Sequence, residues 1–359
     1  MKYVPNLYSL EGELSALKNQ PFSSNIVPLI NIVKDKKTKV STKSILDDIE
    51  EIINSKTSNT FLVSIPMNLE LTKKRLKNPV SAFFKQIESV PSYYISILKR
   101  FDTLSNVIPV IDVNSSNYSS GNLKNIRQQL NSLNVAYMFH AKKSSNILPE
   151  LSNLITNNDI LIYNLNTYGF YQKSIRDEIK QINKLKQNKR FKTLVIKQIY
   201  SGFTFFKMPN GKITSNDPGY DCIDSDFFND FPIFKFNYFG DYAGIRNIPI
   251  YSGGLSYPAF IGLNLKDFSH FGFRGKEKNI NSYSSVLLPN ILNSKYWNNV
   301  LTTKHKNNCY GCSKITHFST LHIPSGQSNP ANNATIWKAI TISHYLSIMD
   351  YKLKNNLIH

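Results

Sequence analysis

The alternation of apolar runs with helix-patterned segments along the 359 residues predicts one α/β domain, a (βα)8 barrel with an irregular C-terminal third. Three observations carry this. The apolar runs are short and continuous, as strands covered on both faces by helices require, where a half-exposed sheet would alternate strictly. Eight such runs can be counted, the number at which a parallel sheet with right-handed crossovers closes. No Gly-x-Gly-x-x-Gly follows any of them and no phosphate-binding Gly-Lys-Ser/Thr loop occurs, which removes the signatures of the nucleotide-binding open sheets.

The first run is 26–33 (IVPLINIV), and behind it Ile45, Ile49, Ile52 and Ile53 recur at helical spacing over 42–56. Next come 61–67 (FLVSIPM) with a helix around 80–100, and 107–113 (VIPVIDV) with a helix around 123–133. The runs 135–140 (VAYMFH) and 160–165 (ILIYNL) lead to helices at 147–155 and 171–187. After the sixth strand, 193–200 (TLVIKQIY), the rhythm loosens into a region of Gly, Pro, Asn and Asp spanning 201–278. Strands seven and eight are expected there at 233–239 (IFKFNYF) and 259–265 (AFIGLNL). Helices return at 282–300 and 333–352, and 301–332 reads as a loop insert carrying Cys and His.

Charge and cysteine usage set the broad class. Lys and Arg number 43 against 24 Asp and Glu, a net charge of +19, which attracts phosphate backbones through counterion release. A nucleic-acid partner is one expectation; a chain rich in Lys, Asn, Ile and Tyr through AT-rich coding is the other. The basic runs 36–39, 73–77 and 184–192 do not form one patch, because the first two follow strands and the third precedes one. Three cysteines give no even disulfide framework, the N-terminus has no secretory pattern, and no apolar stretch reaches membrane-spanning length. A cytoplasmic protein without membrane contact is expected.

A barrel keeps its chemistry at the carboxyl ends of its strands. The polar residues expected there are Asn31, Asn68, Asp112, His140, Asn164, Gln198, Asp241 and Asn264. Asp112, His140 and Asp241 are the candidates for general acid-base work; a turn-capping Asp and a core His bonded to a carbonyl are the bland alternatives for the first two. Asn31, Asn164, Tyr242 and Arg274 are candidate ligand-binding residues. Arg274, with Gly253, Gly254, Gly272 and Gly275 nearby, suits an anion or an ordinary tight loop. Lys197 could serve as a Schiff-base lysine only if it points into the barrel. The pattern Cys309-Tyr310-Gly311-Cys312, with His305 upstream, is half of a zinc knuckle, for which His317 and His322 are the expected completing ligands. Two reduced cysteines or a reversible dithiol fit the same spacing.

Several segments together resemble the phage T4 beta protein family. They are Tyr3-Val4-Pro5, the stretch with Glu13, Leu14, Ala16 and Leu17, Ile26-Val27-Pro28-Leu29-Ile30, and Asn106 through Ile111. Phe239-Gly240-Asp241-Tyr242-Ala243, Arg274-Gly275 and the Cys309/Cys312 pair with Trp337 and His344 complete the set. The resemblance implies a phage- or prophage-associated bacterial protein with a barrel-like fold, opening on a Val-Pro strand, a Glu-containing helix and a Pro-Leu strand. It implies no nameable reaction. Charged residues at several strand ends belong to that pattern, where this chain has Asn31, His140 and Asn164, and these departures speak against a shared catalysis.

Two functions follow as expectations. One is a nucleic-acid-associated or phage-defence component with no assignable reaction, its partner nucleic acid or another protein; an interaction scaffold that has lost activity fits the amide-rich rim as a separate reading. The other is a barrel enzyme acting on a small phosphorylated ligand through Asp112, His140, Asp241 and Arg274.

Overall fold

The computed structural model describes residues 1–36, 44–67, 78–113, 120–142, 147–199, 219–221, 225–245, 258–276 and 279–358. Seven strands come in order along the chain: β1 (Lys2–Tyr8), β2 (Leu29–Asn31), β3 (Phe61–Ser64), β4 (Val107–Asp112), β5 (Ala136–His140), β6 (Ile160–Asn166) and β7 (Lys192–Lys197). After a short strand β8 (Gly219–Asp221), β9 (Tyr238–Asp241) pairs with β7 on one side and β1 on the other. Strands β1 to β7 and β9 form a closed eight-stranded barrel, parallel throughout. The predicted barrel is therefore present.

Its membership differs from the expectation at both ends. The opening residues, not 26–33, supply the first strand, so the run at 26–33 is the second. Pro5 breaks the apolar pattern of β1, and it also breaks the ladder: β1 and β2 pair at Asn6–Leu29, Leu7–Ile30 and Tyr8–Asn31, with a separate bridge at Tyr3–Ile26. The interruption lies at Pro5 and Pro28, neither of which has an N–H to give. Residues expected as the seventh strand are split, since Ile233 ends a helix and the strand itself is Tyr238–Asp241. Residues 259–265 do not enter the barrel. As β10 (Ala259–Leu263) they pair antiparallel with β11 (His270–Arg274), which pairs antiparallel with β8, making a separate three-stranded sheet. With β1 in the barrel, no place remains there for another strand.

Helices cover the barrel: α1 (Glu11–Asn19), α2 (Ile45–Asn54), α3 (Asn78–Ser89), α4 (Pro91–Asp102), α5 (Ser120–Gln129), α6 (Ile147–Leu154), α7 (Lys173–Asn188) and α8 (Ser225–Ile233). The single helix expected at 80–100 is two, because Pro91 cannot continue α3 but suits the first position of α4. Helix α2 starts on a capping box formed by Ser44 and Asp47, and buries the predicted face of Ile45, Ile49, Ile52 and Ile53. Beyond β11 come a π-helical turn (Tyr283–Leu287), α9 (Leu288–Leu292), a second π-helical turn (Tyr296–Val300), α10 (Thr303–Asn308), α11 (Tyr310–Thr320) and α12 (Ala334–Lys354). Residues expected as a loop insert at 301–332 are thus helical over 303–308 and 310–320, and bury Cys309, Cys312 and Ile315.

Two apolar layers result. Strand residues alternate between faces. Val4, Leu29, Leu62, Val110, Ala136, Met138, Ile160, Ile162, Leu194 and Ile196 fill the barrel, whereas Tyr3, Leu7, Ile30, Val63, Ile111, Phe139, Tyr163, Val195 and Phe239 join the larger layer under the helices. Closure depends on Gly240: a Cβ there would lie 2.2 Å from the carbonyl oxygen of Val4 on β1. Helix α12 packs against α1, α11 and β10 and buries 14 of its 21 residues. No helix among the described residues is long and apolar enough to cross a membrane.

Candidate active site

The same alternation that fills the barrel with aliphatic residues places polar ones at its carboxyl end. Counting in steps of two from the filled positions gives Asn6 on β1, Asn31 on β2, Ser64 on β3, Asp112 on β4, His140 on β5 and Asn164 on β6. Tyr242, just past β9, joins the interior cluster directly. All are buried. Of the predicted candidates, the structure therefore gathers Asp112, His140, Asn31, Asn164 and Tyr242 into one layer.

Within it the amides and the phenol form a network. Asn31 donates through Nδ2 to the Oδ1 of Asn6 and, at 3.1 Å, to the carbonyl of Leu7. Asn164 donates to the Tyr242 hydroxyl at 3.3 Å, and its Oδ1 accepts the Asn166 amide at 2.9 Å. Burial pushes the Tyr242 phenol up to about 12 against the hydrogen bonds from Asn164 and Asn6, so it stays protonated at neutral pH. Beside this network His140 Nε2 stands 3.6 Å from Asp112 Oδ2, and the same carboxylate oxygen accepts the Met67 amide at 3.1 Å. His140 is also level with Asn164 across β5 and β6. A carboxylate and an imidazole held together in a dry layer can exchange a proton with a bound molecule, the carboxylate stabilising the imidazolium.

Other candidates lie elsewhere. Asp241 has the opposite parity and faces α12, where its carboxylate accepts from the hydroxyls of Tyr3 and Tyr345 and from the Ala243 amide. Burial raises its pKa to about 6 against those three hydrogen bonds. It is a carboxylate between barrel and helix, not part of an acid-base pair at the mouth. Lys197 also points outward, its ammonium 5.9 Å from the ring centre of Phe227, which removes the Schiff-base reading. Arg274 sits in the separate antiparallel sheet, paired with Ala259, and shares no strand end with Asp112 and His140. Asn264 binds Ser269 within that sheet's turn. Asn68, Gly253 and Gly254 lie outside the described residues. In the basic run 184–192, Lys186 and Lys189 donate to the carbonyls of Lys235, Ser152 and Ile155. Asn6 and Ser64 went unpredicted: the apolar pattern does not show β1 because of its proline, the opening strand being implied only by the resemblance and without a site residue, and Ser64 ends a run whose visible polar residue is Asn68.

A second polar cluster lies in the C-terminal helices. Cys309 and Cys312 come together as expected, but with His305 and His344 in place of His317 and His322, both of which are exposed. The ligand atoms of His305, Cys309, Cys312 and His344 all lie within 4.8 Å of one another. Cys309 ends α10 and caps α11, where its sulfur accepts the Cys312 amide at 3.3 Å. Burial opposes a thiolate at Cys309, yet hydrogen bonds with Cys312, His305 and His344 outweigh it and hold the thiol well below its usual range. Gly311 between the cysteines lets α11 approach α12: a Cβ there would lie 2.4 Å from the Ile340 carbonyl and 3.2 Å from the His344 amide. Proximity in sequence favoured His317 and His322. Helix α11 instead turns His317 away, five residues on from Cys312, while α12 returns His344 from a distance that spacing does not encode.

No protein-family model matches the chain, and no curated protein matches it. Among solved structures, the catalytic domain of Thermobifida fusca endoglucanase Cel5A is similar over 65% of this chain and 73% of that one, at 10% identity and a TM-score of 0.35. A likeness at that level carries no argument. The class of protein is set by strand pairing alone: a parallel eight-stranded (βα)8 barrel of the TIM type with an added C-terminal helical layer.

Proposed function

We propose that the carboxyl end of the barrel is an active site, in which Asp112 and His140 carry general acid-base chemistry on a small neutral ligand that forms hydrogen bonds. The observation that supports this most is the change of character along the interior, from aliphatic layers to Asn6, Asn31, Ser64, Asp112, His140, Asn164 and Tyr242 at the end where barrels bind ligands. Packing alone would continue the aliphatic filling. His140 is assigned the proton transfer, and Asp112, anchored by the Met67 amide, stabilises its protonated form. Asn31, Asn164 and Tyr242 are assigned to hold the ligand. A neutral ligand suits the site better than a phosphorylated one, because among the described residues the barrel strands put no Lys or Arg on the interior face at their carboxyl ends; Lys2 and Lys192, which share the interior parity, lie at the amino end.

The test is to incubate the protein with a small-molecule extract of cells and follow depletion by mass spectrometry. At least one neutral compound should disappear with the parent protein and persist, at least about 100-fold more slowly consumed, with Asp112→Asn or His140→Gln. Equal consumption by parent and variants would remove the pair from the mechanism; no consumption by the parent would remove the enzyme reading.

The +19 charge, with the resemblance to beta family proteins, supports a second proposal: a phage-associated component that binds nucleic acid. It requires affinity for DNA or RNA that falls steeply with salt yet exceeds, at physiological salt, that of an unrelated protein of equal charge. Affinity equal to that control counts against it.

A further inference from the structure

We infer that His305, Cys309, Cys312 and His344 bind one zinc ion in a closed tetrahedral site that fastens α10, α11 and α12 together and to β10. The distances fit such a site. Zinc bonds of about 2.0–2.1 Å to nitrogen and about 2.3 Å to sulfur, set at tetrahedral angles, give ligand separations of about 3.3 Å for N···N and about 3.6 Å for N···S. Here His305 Nε2 and His344 Nδ1 are 3.4 Å apart, and His344 Nδ1 is 3.3 Å from Cys312 Sγ and 3.8 Å from Cys309 Sγ. The remaining separations are all within 4.8 Å, so the four donors are close enough to share one ion.

Charge balance agrees. Two thiolates and two neutral imidazoles around a divalent ion sum to zero, the only net charge that a site this dry holds cheaply. Exposure is 7% at His305 and zero at the other three. Mixed sulfur and nitrogen ligands in tetrahedral array select zinc over magnesium or calcium, which require oxygen. Four protein ligands leave no open position, so the ion is structural.

The surroundings are those that orient metal ligands. His344 turns Nδ1 to the cluster while its Nε2 bonds the Tyr296 hydroxyl, and that hydroxyl donates to the Leu263 carbonyl on β10 at 3.0 Å. This fixes the ring and its tautomer from the far side, as outer partners of metal-bound histidines do. The Cys312 amide donates to Cys309 Sγ, an interaction that favours thiolate. One residue along α12, Tyr345 bonds Asp241 at the end of β9, so the cluster and the barrel wall are joined through adjacent positions of one helix.

The test uses the full-length chain without a polyhistidine tag, purified with reductant. Elemental analysis should find about one zinc per chain. Replacement by cobalt(II) should give the visible bands of a tetrahedral ion together with thiolate charge-transfer absorption. His317→Ala and His322→Ala should leave both unchanged, Cys312→Ser should remove much of the charge-transfer band, and Tyr296→Phe should weaken metal affinity about 10- to 100-fold. Folded parent protein that contains no zinc and takes up no cobalt overturns the inference, whatever the variants do. So does recovery of Cys309 and Cys312 as a disulfide from the reduced preparation, or a cobalt spectrum without thiolate absorption. None of these readouts depends on the barrel mouth.

Discussion

At the barrel mouth, each polar residue comes from a different strand, from Asn6 on β1 to Tyr242 after β9, so the layer spans most of the chain. In the C-terminal cluster three of four donors lie within residues 305–312, and only His344 comes from afar. Both are buried, but their geometry differs in kind. The mouth is one end of a stack, with aliphatic side chains on one side and strand ends on the other. The Cys–His cluster is enclosed by Tyr296, Phe260, α11 and α12, with its four donor atoms within 4.8 Å of one another. A polar layer at the carboxyl end of barrel strands suits chemistry; four buried donors gathered in one cluster suit cohesion.

With the proposed function, that contrast assigns stability to one region and activity to the other, and substitutions can break the assignment. The largest effect is expected at His344→Ala, which removes a zinc ligand and opens space among Phe260, Tyr296 and His305. Unfolding in urea should show a loss of about 3–5 kcal/mol, or failure to fold, and chelator should destabilise the parent toward the variant. A loss below about 1 kcal/mol with no chelator effect would mean that the helical layer coheres without the cluster.

Asp241 lies on the seam between the two regions and should show itself through pH. Its carboxyl is raised to about 6, whereas in the unfolded chain it titrates near 3.8. Between these values the folded protein holds a proton that the unfolded chain has lost, so this group lowers stability as pH rises from about 4 to about 6, and the cost is constant above. At 1.36 kcal/mol per unit, burying the charge costs about 3 kcal/mol as an order of magnitude. Asp241→Asn keeps an acceptor oxygen for one tyrosine hydroxyl and turns a donor NH2 to the other, the same donor and acceptor pair as the protonated carboxyl. It should match the parent near pH 4 and exceed it by up to that amount at pH 7, as measured by urea unfolding across the range. Equal stability at both pH values would show that the tyrosine hydrogen bonds offset the burial.

At the mouth the stability effects should be smaller. Asp112→Asn retains an acceptor for the Met67 amide, and His140→Gln retains a polar side chain of similar reach, so each should change stability by less than about 1 kcal/mol while abolishing turnover. Losses of several kcal/mol at both positions would make the pair part of the scaffold.

How far each region could be read in advance follows from the same geometry. The helix-covered strands from β2 to β7 were legible because double-sided burial writes continuous apolar runs, and position at a strand end then indicated Asn31, Asp112, His140 and Asn164. Strand β1 is concealed from the apolar pattern by Pro5 and Asn6, although the family resemblance implied an opening Val-Pro strand, and Asn6 itself went unread. The run at 259–265 has the composition of a barrel strand and differs only in its partner, which composition does not state. Asp241 was found as a residue at a strand end, but parity decides which face it takes, and a strand of four residues offers too few positions to read parity from sequence. The cysteine pair was visible from its spacing; the ligand that completes it lies on another helix.

The smallest effect is expected where sequence proximity pointed and the fold does not. His317 and His322 are exposed, and the only ring contact described for either is that of His317 with Phe318. Each histidine replaced by alanine should therefore change stability by less than about 0.5 kcal/mol and leave metal content intact, whereas the cluster histidines, similar in distance along the chain or far from it, should not be replaceable. If His317→Ala or His322→Ala lowered both stability and metal content, α11 would have to present its opposite face to the cysteines. That would pull Ile315 out of the core and bring Gly311 away from α12, so the register of the whole helix, and with it the separation of a cohesive C-terminal layer from a reactive barrel mouth, rests on this least conspicuous pair of substitutions.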